Sequence, residues 1–207
     1  MDYYAATLRE PGTKLNNDGL MVKGIHFPNG QDILVMVTVT CDNDGRLCDN
    51  IIRYSEKLFG RCCRTGDFEC FRTLFTRFGK RSLFKKRRSL GITVLILDGT
   101  YYRIFSCGKM RLMRAGRLGI YDLLDESKRA EAEELSLFEG RLSEGSTIIA
   151  GNSAFYESQT ELEIRKRLCP QMCISNDEMQ KNMEYLGDQL WSRGEVRPVT
   201  AVAICVK

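Results

Sequence analysis

The chain has 207 residues, 43% hydrophobic and 28% charged, with 31 Lys and Arg against 27 Asp and Glu for a net charge of +4. That is ample apolar material for a real core, and with only 4 prolines it excludes a disordered or low-complexity class. No stretch offers about 18 uninterrupted apolar residues and the start, MDYYAATLREPG, has no export-signal pattern, so a soluble cytoplasmic protein of one domain, residues 1–207, is expected.

In chain order, Val22 to Phe27 reads as a weak strand and Ile33 to Thr40 as a strong one, continuous in β-branched and apolar residues and suited to burial on both faces. Pro28-Asn29-Gly30 between them is turn chemistry, so the two pair as a hairpin. Leu47, Ile51, Tyr54, Ser55 and Leu58 recur at helical spacing and predict an amphipathic helix over 46–59. Phe68, Phe71, Leu74, Phe75 and Phe78 predict a second, closed by Gly79. Residues 89–113 hold two or three strands in succession, followed by a turn at 115–119. Helix formers dominate 126–138, and Ser146 to Ala150 is a short strand. Ser158-x-x-Glu161 and Ser175-x-x-Glu178 read as capping boxes opening two helices, and Val199 to Val206 is apolar enough for a central strand. Strands at both ends and in the middle, with helices between, predict an α+β fold with mostly antiparallel pairing.

Several residue groups invite chemistry that their context does not support. Nine cysteines are scattered without a CxxC pair, and Cys169 and Cys173 have only His26 as an available imidazole, so zinc is not expected. Cys107 and Cys205 read as small buried hydrophobes. Asp42, Asp44 and Asp49 fail the calcium-loop pattern, because the glycine falls too early and Arg53 stands at the final ligand position. His26 has no nucleophile in a recognisable arrangement. Arg9 and Lys14 precede Asn16 as candidate phosphate-binding cations.

The charge is unevenly distributed. From Arg61 to Arg88 ten cations face only Asp67 and Glu69, and Lys80, Arg81, Lys85, Lys86, Arg87 and Arg88 form its densest part. The segment is a solvated loop or a patch for an acidic partner. Without interleaved aromatics, a protein or phosphorylated partner ranks above nucleic acid.

Taken in order, these segments resemble the metal-dependent 2C-type serine/threonine protein phosphatases. Gly12 with Asn16-Asn17-Asp18 is similar to that family's Gly...Asn-Glu-Asp element, and the strand ending at Thr40 to the one that delivers Asp-Gly-x-Gly-Gly. Gly91-Ile92-Thr93 resembles Gly-Thr-Thr, and Cys107-Gly108-Lys109-Met110-Arg111 resembles the Gly-Asp-Ser-Arg turn. Gly145-Ser146 with Gly151-Asn152-Ser153 resembles Gly-Asp...Ser-Asp-Gly, and Arg197-Pro198-Val199-Thr200 resembles Asp-Asn-x-Thr. The resemblance implies two packed, mostly antiparallel sheets flanked by helix pairs, a four-layer sandwich.

It also implies a centre of two Mn²⁺ or Mg²⁺ ions held by carboxylates, and those carboxylates are what this chain lacks. The aspartate of Asp-Gly-x-Gly-Gly maps to Thr40, or to Asp44 if Asp44-Gly45 is the dipeptide. Lys109, Asn152 and Arg197 stand at three further acidic positions. A cation about 4 Å from a metal site adds a repulsion of roughly 4 kcal/mol per unit charge at an effective dielectric of 20. The expectation is therefore a pseudophosphatase: no catalytic residues, no metal cofactor, and a binding or regulatory role toward a kinase, a phosphorylated protein or another subunit. Two alternatives stand beside it. One is an active, divergent phosphatase with Mn or Mg on Asp18 and Asp44; the other is a basic protein- or nucleic-acid-interaction module acting through residues 61–88.

Overall fold

The computed structural model describes residues 3–12, 18–41, 45–79, 90–108, 110–116, 119–123, 136–143 and 145–207. The strands are β1 (Tyr3–Glu10), β2 (Gly19–His26), β3 (Asp32–Thr40), β4 (Gly91–Asp98), β5 (Tyr101–Cys107), β6 (Arg111–Ala115), β7 (Ile120–Asp122), β8 (Ser136–Arg141), β9 (Ser146–Gly151) and β10 (Val199–Val206). The helices are α1 (Gly45–Thr65), α2 (Ser153–Glu157), α3 (Glu161–Leu168) and α4 (Asn176–Ser192). The strands form two five-stranded sheets, ordered β1-β10-β9-β6-β7 and β2-β3-β4-β5-β8, with every pairing antiparallel. The fold is α+β, and the chain divides into two compact units, each holding one sheet.

One unit comprises Asn17–Met110 and Glu126–Arg141. Its β2–β3 hairpin is the expected one, with His26 opposite Asp32 and Gly19 opposite Val39. The interior of β3 is buried residue by residue, as its unbroken apolar run requires. Ile33, Val35, Val37 and Val39 join Ile92, Val94 and Phe105 in a core shared with Cys48, Ile51, Leu58 and Cys62 of α1. Each such fully buried large side chain contributes about 1.5–3 kcal/mol relative to exposure.

The run after α1 is helical but irregular: a 3₁₀ turn Glu69–Phe71, an α turn Arg72–Leu74 and a π turn Phe75–Gly79. Thr73 and Thr76 turn their hydroxyls onto the carbonyls of Cys70 (2.6 Å) and Thr73 (3.0 Å), competing with the helical ladder. The apolar stripe survives the irregularity. Phe71, Leu74 and Phe75 are buried, and Phe75 lies 6.2 Å from the Phe105 ring.

The other unit comprises Met1–Asn16, Arg111–Asp125 and Leu142–Lys207. β10 lies inside its sheet, between β1 and β9, as its apolar sequence predicts. β1 is an edge strand, and α4 covers that edge with side chains. Asn176 Oδ1 accepts from the Ala5 N–H (2.9 Å), while the Gln180 amide accepts from Thr7 N–H and donates to Thr7 C=O (3.0 Å each). Exposed strand groups that would template aggregation are thereby satisfied. Beneath them Leu8 packs so closely on α4 that a Cβ on Gly187 would lie 2.8 Å from its Cδ1.

Three sequence expectations need correction. Residues 136–138, read as the end of a helix, begin β8, whose Leu137 and Phe138 pair with Phe105 and Ile104; residues 124–135 lie outside the described residues. The helix expected to open at Ser158 is capped by Thr160, whose hydroxyl accepts from Glu163 N–H (3.3 Å) while the Glu163 carboxylate takes the Thr160 N–H (2.9 Å). Ser158 instead ends α2. Finally, residues 3–10 form a strand that the sequence did not announce. Ser175 does cap α4, accepting from Glu178 N–H at 3.1 Å.

Candidate functional site

In the β2–β3–β4 unit, the residues singled out by sequence gather at one end of the sheet. Thr40 pairs with Gly91, and Asp18 immediately precedes β2, where Gly19 faces Val39. Asp18 is buried, 8% exposed, and Gly19 has no room for a side chain because Ile52 of α1 would sit 2.6 Å from its Cβ. Gly108 closes β5 at φ 80°, where a Cβ would lie 2.4 Å from the Leu90 carbonyl oxygen. Only glycine lets that turn approach the start of β4. Thr93 and Ser106 share a buried hydroxyl hydrogen bond of 2.8 Å one step inside the same strands. Asn16, Asn17, Asp42, Asp44, Lys109 and the basic run Lys80, Arg81, Lys85, Lys86, Arg87 and Arg88 lie outside the described residues.

In the other unit, Asn152 and the 195–198 segment come together. Asn152 is the N-cap of α2, its Oδ1 accepting from Phe155 N–H (3.2 Å) and its Nδ2 donating to the Pro198 carbonyl (2.9 Å). These two partners fix the amide's orientation, since a carbonyl can only accept and an N–H only donate. An aspartate in the same pose would set a carboxylate oxygen against a carbonyl oxygen.

Arg197 is turned onto carboxylates. Its Nε and Nη2 donate to the two oxygens of Glu195 (2.9 and 2.7 Å), and its Nη1 donates to Glu157 (2.6 Å). Glu195 is almost buried, its side chain 7% exposed, and also receives the backbone N–H groups of Val196 and Arg197 and the Ser158 hydroxyl. The guanidinium, foremost, holds the Glu195 carboxyl down at about 2, and the two carboxylates push Arg197 up. Gly12, at φ 63°, passes beneath this segment so closely that a Cβ would lie 2.5 Å from Val196 O. Alongside, Arg193 pairs with Glu163, whose carboxyl is lowered to about 2 chiefly by that guanidinium.

His26 pairs with Asp32 across the hairpin (2.7 Å) and is exposed. Cys107 and Cys205 are buried, and all nine cysteines are free thiols. No cluster of three or more metal-ligating side chains occurs among the described residues.

No family model and no curated protein matches the chain. Solved structures do. PppA, a regulatory component of the T6SS in Pseudomonas aeruginosa, matches with a TM-score of 0.66 at 15% identity, over 100% of this chain and 99% of that one. The PP2C phosphatase domain of SpoIIE from Bacillus subtilis, with a fragment of its regulatory domain, matches with a TM-score of 0.69 at 10% identity, over 100% of this chain and 64% of that one. The chain has the 2C-type phosphatase fold. RsbX, in a structure with magnesium, shares it with a TM-score of 0.65 at 12% identity, over 99% and 94% of the two chains.

Taken one by one, the described residues at the acidic positions are not free carboxylates. Thr40 offers a neutral hydroxyl, the Asn152 amide is committed to a helix cap and a carbonyl, and Arg197 brings a cation already matched by two carboxylates. The sequence reading missed Glu157, Ser158 and Glu195. Glu195 and Arg197 are two residues apart and so carry a local signal, but Glu157 is brought in from α2.

Proposed function

We propose that this chain is a catalytically inactive 2C-type phosphatase-like protein, one domain over residues 1–207, acting in the cytoplasm as a binding or regulatory module for a protein partner such as a kinase or a phosphoprotein, without a metal cofactor. The observation that carries this reading is the Asn152 amide, which donates to Pro198 C=O at 2.9 Å where the resemblance calls for a metal-binding carboxylate. A group that serves as a hydrogen-bond donor toward the backbone and as a helix cap supplies neither the charge nor the free oxygen that a divalent ion needs. Arg197 and Thr40 act in the same direction. The likeness to PppA, described as a regulatory component, agrees with a regulatory role. The test is calorimetric titration with Mn²⁺ together with p-nitrophenyl phosphate turnover. Neither binding nor hydrolysis is expected, and metal-dependent hydrolysis that disappears in Asp44→Ala overturns the reading.

One observation favours a second reading. Asp18 is a buried carboxylate beside the Thr40 strand end, as a ligand in a divergent Mn- or Mg-dependent phosphatase using Asp18 and Asp44 would be. A crystal soaked in Mn²⁺ separates the two, since an ion on those carboxylates favours the enzyme.

A further inference from the structure

α1 buries one face, Cys48, Ile51, Ser55, Leu58 and Cys62, and turns a charged face outward. At 3.6 residues per turn, the exposed Arg46, Arg53, Lys57 and Arg64 fall within roughly 40° of one another, a straight row about 27 Å long, with Arg61 beside it. Among the described residues none of these five cations pairs with a carboxylate. A merely soluble helix face interleaves signs at i,i+4. Here only Asp49–Arg53 is opposite-charged at that spacing, while Arg53–Lys57 and Lys57–Arg61 are like-charged, and Arg46 stands in a first turn without an acidic residue, against the helix dipole. The acidic residues of this helix, Asp49 and Glu56, sit seven apart along one edge of the row, and Glu56 is bound by Lys23 at 3.2 Å.

Gly60 lies at the edge of this row, roughly 20° beyond Arg53 on the side of Asp49, in the interior of a 21-residue helix, with no described atom within 4 Å of the position a Cβ would take. Among the described residues no packing calls for a glycine there, and helix propensity disfavours it. A side-chain-free position in an exposed helix row admits the close approach of another backbone.

We propose that this face of α1 is a docking surface for an acidic α-helix of a partner protein, with carboxylates repeating the cation spacing and basic residues along the edge that meets Asp49. Charge complementarity selects this occupant. A uniformly negative duplex or lipid surface would be repelled by Asp49 and would gain nothing from Gly60, whereas a helix of mixed charge uses the cation row, Asp49 and Gly60 together. The row also carries no aromatic side chain to stack on bases. This goes beyond the inactive-phosphatase reading, and its outcome is independent of metal binding and hydrolysis.

The test uses the full chain and a fluorescein-labelled, alanine-based helical peptide whose glutamates repeat the α1 cation spacing, with lysines on one edge. A scrambled peptide of the same composition, a DNA duplex and phosphatidylserine vesicles serve as comparisons. The patterned peptide is expected to bind more tightly than all three at about 50 mM salt, and to weaken at least about fivefold by about 200 mM. Arg53→Glu/Lys57→Glu should weaken it at least about tenfold, and Gly60→Leu, which changes no charge, at least about threefold. Circular dichroism confirms folding, and Arg46→Glu/Arg64→Glu replaces the first pair if that variant misfolds. Equal binding of the scrambled peptide, tighter binding of duplex or vesicles, indifference to Gly60→Leu, or no peptide binding at low salt overturns the proposal.

Discussion

Glu195 and Arg197, two residues apart on the approach to β10, are joined by a bidentate pair of hydrogen bonds, Nε to Oε1 at 2.9 Å and Nη2 to Oε2 at 2.7 Å. With Glu157 on the third guanidinium nitrogen, the arginine is neutralised within its own unit, and the segment that carries it is held against α2.

The pair is a source of acid sensitivity. Glu195 has a folded pKa of about 2 against an ordinary value of 4.5, so its contribution is complete above about 4.5 and is lost as pH falls toward 2. Because Arg197 is 46% exposed, screening reduces that contribution to about 1–2 kcal/mol. Urea unfolding of Glu195→Gln should show a deficit of that size at pH 7 that shrinks steadily below pH 4.5. A deficit independent of pH would mean that packing, not the ion pair, holds the segment.

Gly108 and Gly99 separate backbone strain from steric exclusion. Both have positive φ, 80° and 57°, but a Cβ on Gly108 would meet backbone, the Leu90 carbonyl at 2.4 Å, while a Cβ on Gly99 would meet no described atom within 4 Å. Gly99→Ala is expected to cost about 1 kcal/mol and Gly108→Ala more than about 3 kcal/mol, read from denaturant midpoints.

Asn152 is expected to tolerate neither loss of the cap nor restoration of the charge. Asn152→Ala should cost about 1–2 kcal/mol. Asn152→Asp keeps the cap but turns an acceptor toward Pro198 C=O, and should cost about 1 kcal/mol without creating a Mn²⁺ site detectable by calorimetry.

Leu8 and Gly187 are coupled across the β1–α4 contact. Leu8→Ala empties a buried position and should cost about 2–4 kcal/mol. Gly187→Ala alone gains helix propensity but meets Leu8 Cδ1 at 2.8 Å, for a net effect near zero; in the Leu8→Ala background it should stabilise by about 1 kcal/mol. A double-mutant cycle on thermal unfolding measures the difference.

The sequence by itself determined the elements whose signal is local. The unbroken β-branched run of β3, the succession β4–β5–β6, the apolar β10 and the stripe of α1 were legible because burial writes itself as period or continuity along a short stretch. Glycines at 12, 91, 108 and 151 carried the resemblance, and the acidic positions filled by Thr40, Asn152 and Arg197 stood out against it. What only the tertiary structure decided depends on distant partners. β1 has a weak pattern because it is an edge strand, and it becomes one by pairing Tyr3 with Val206 at the far end of the chain and by the Asn176 and Gln180 side chains that cover its edge. Residues 136–138 end the stretch 126–138, rich in helix formers, yet they form a strand because β5 offers them a ladder. The fate of Arg197 likewise rests on Glu157 from α2, a neighbour that no spacing in the sequence reveals, since the energy of an ion pair belongs to geometry and not to the residues alone.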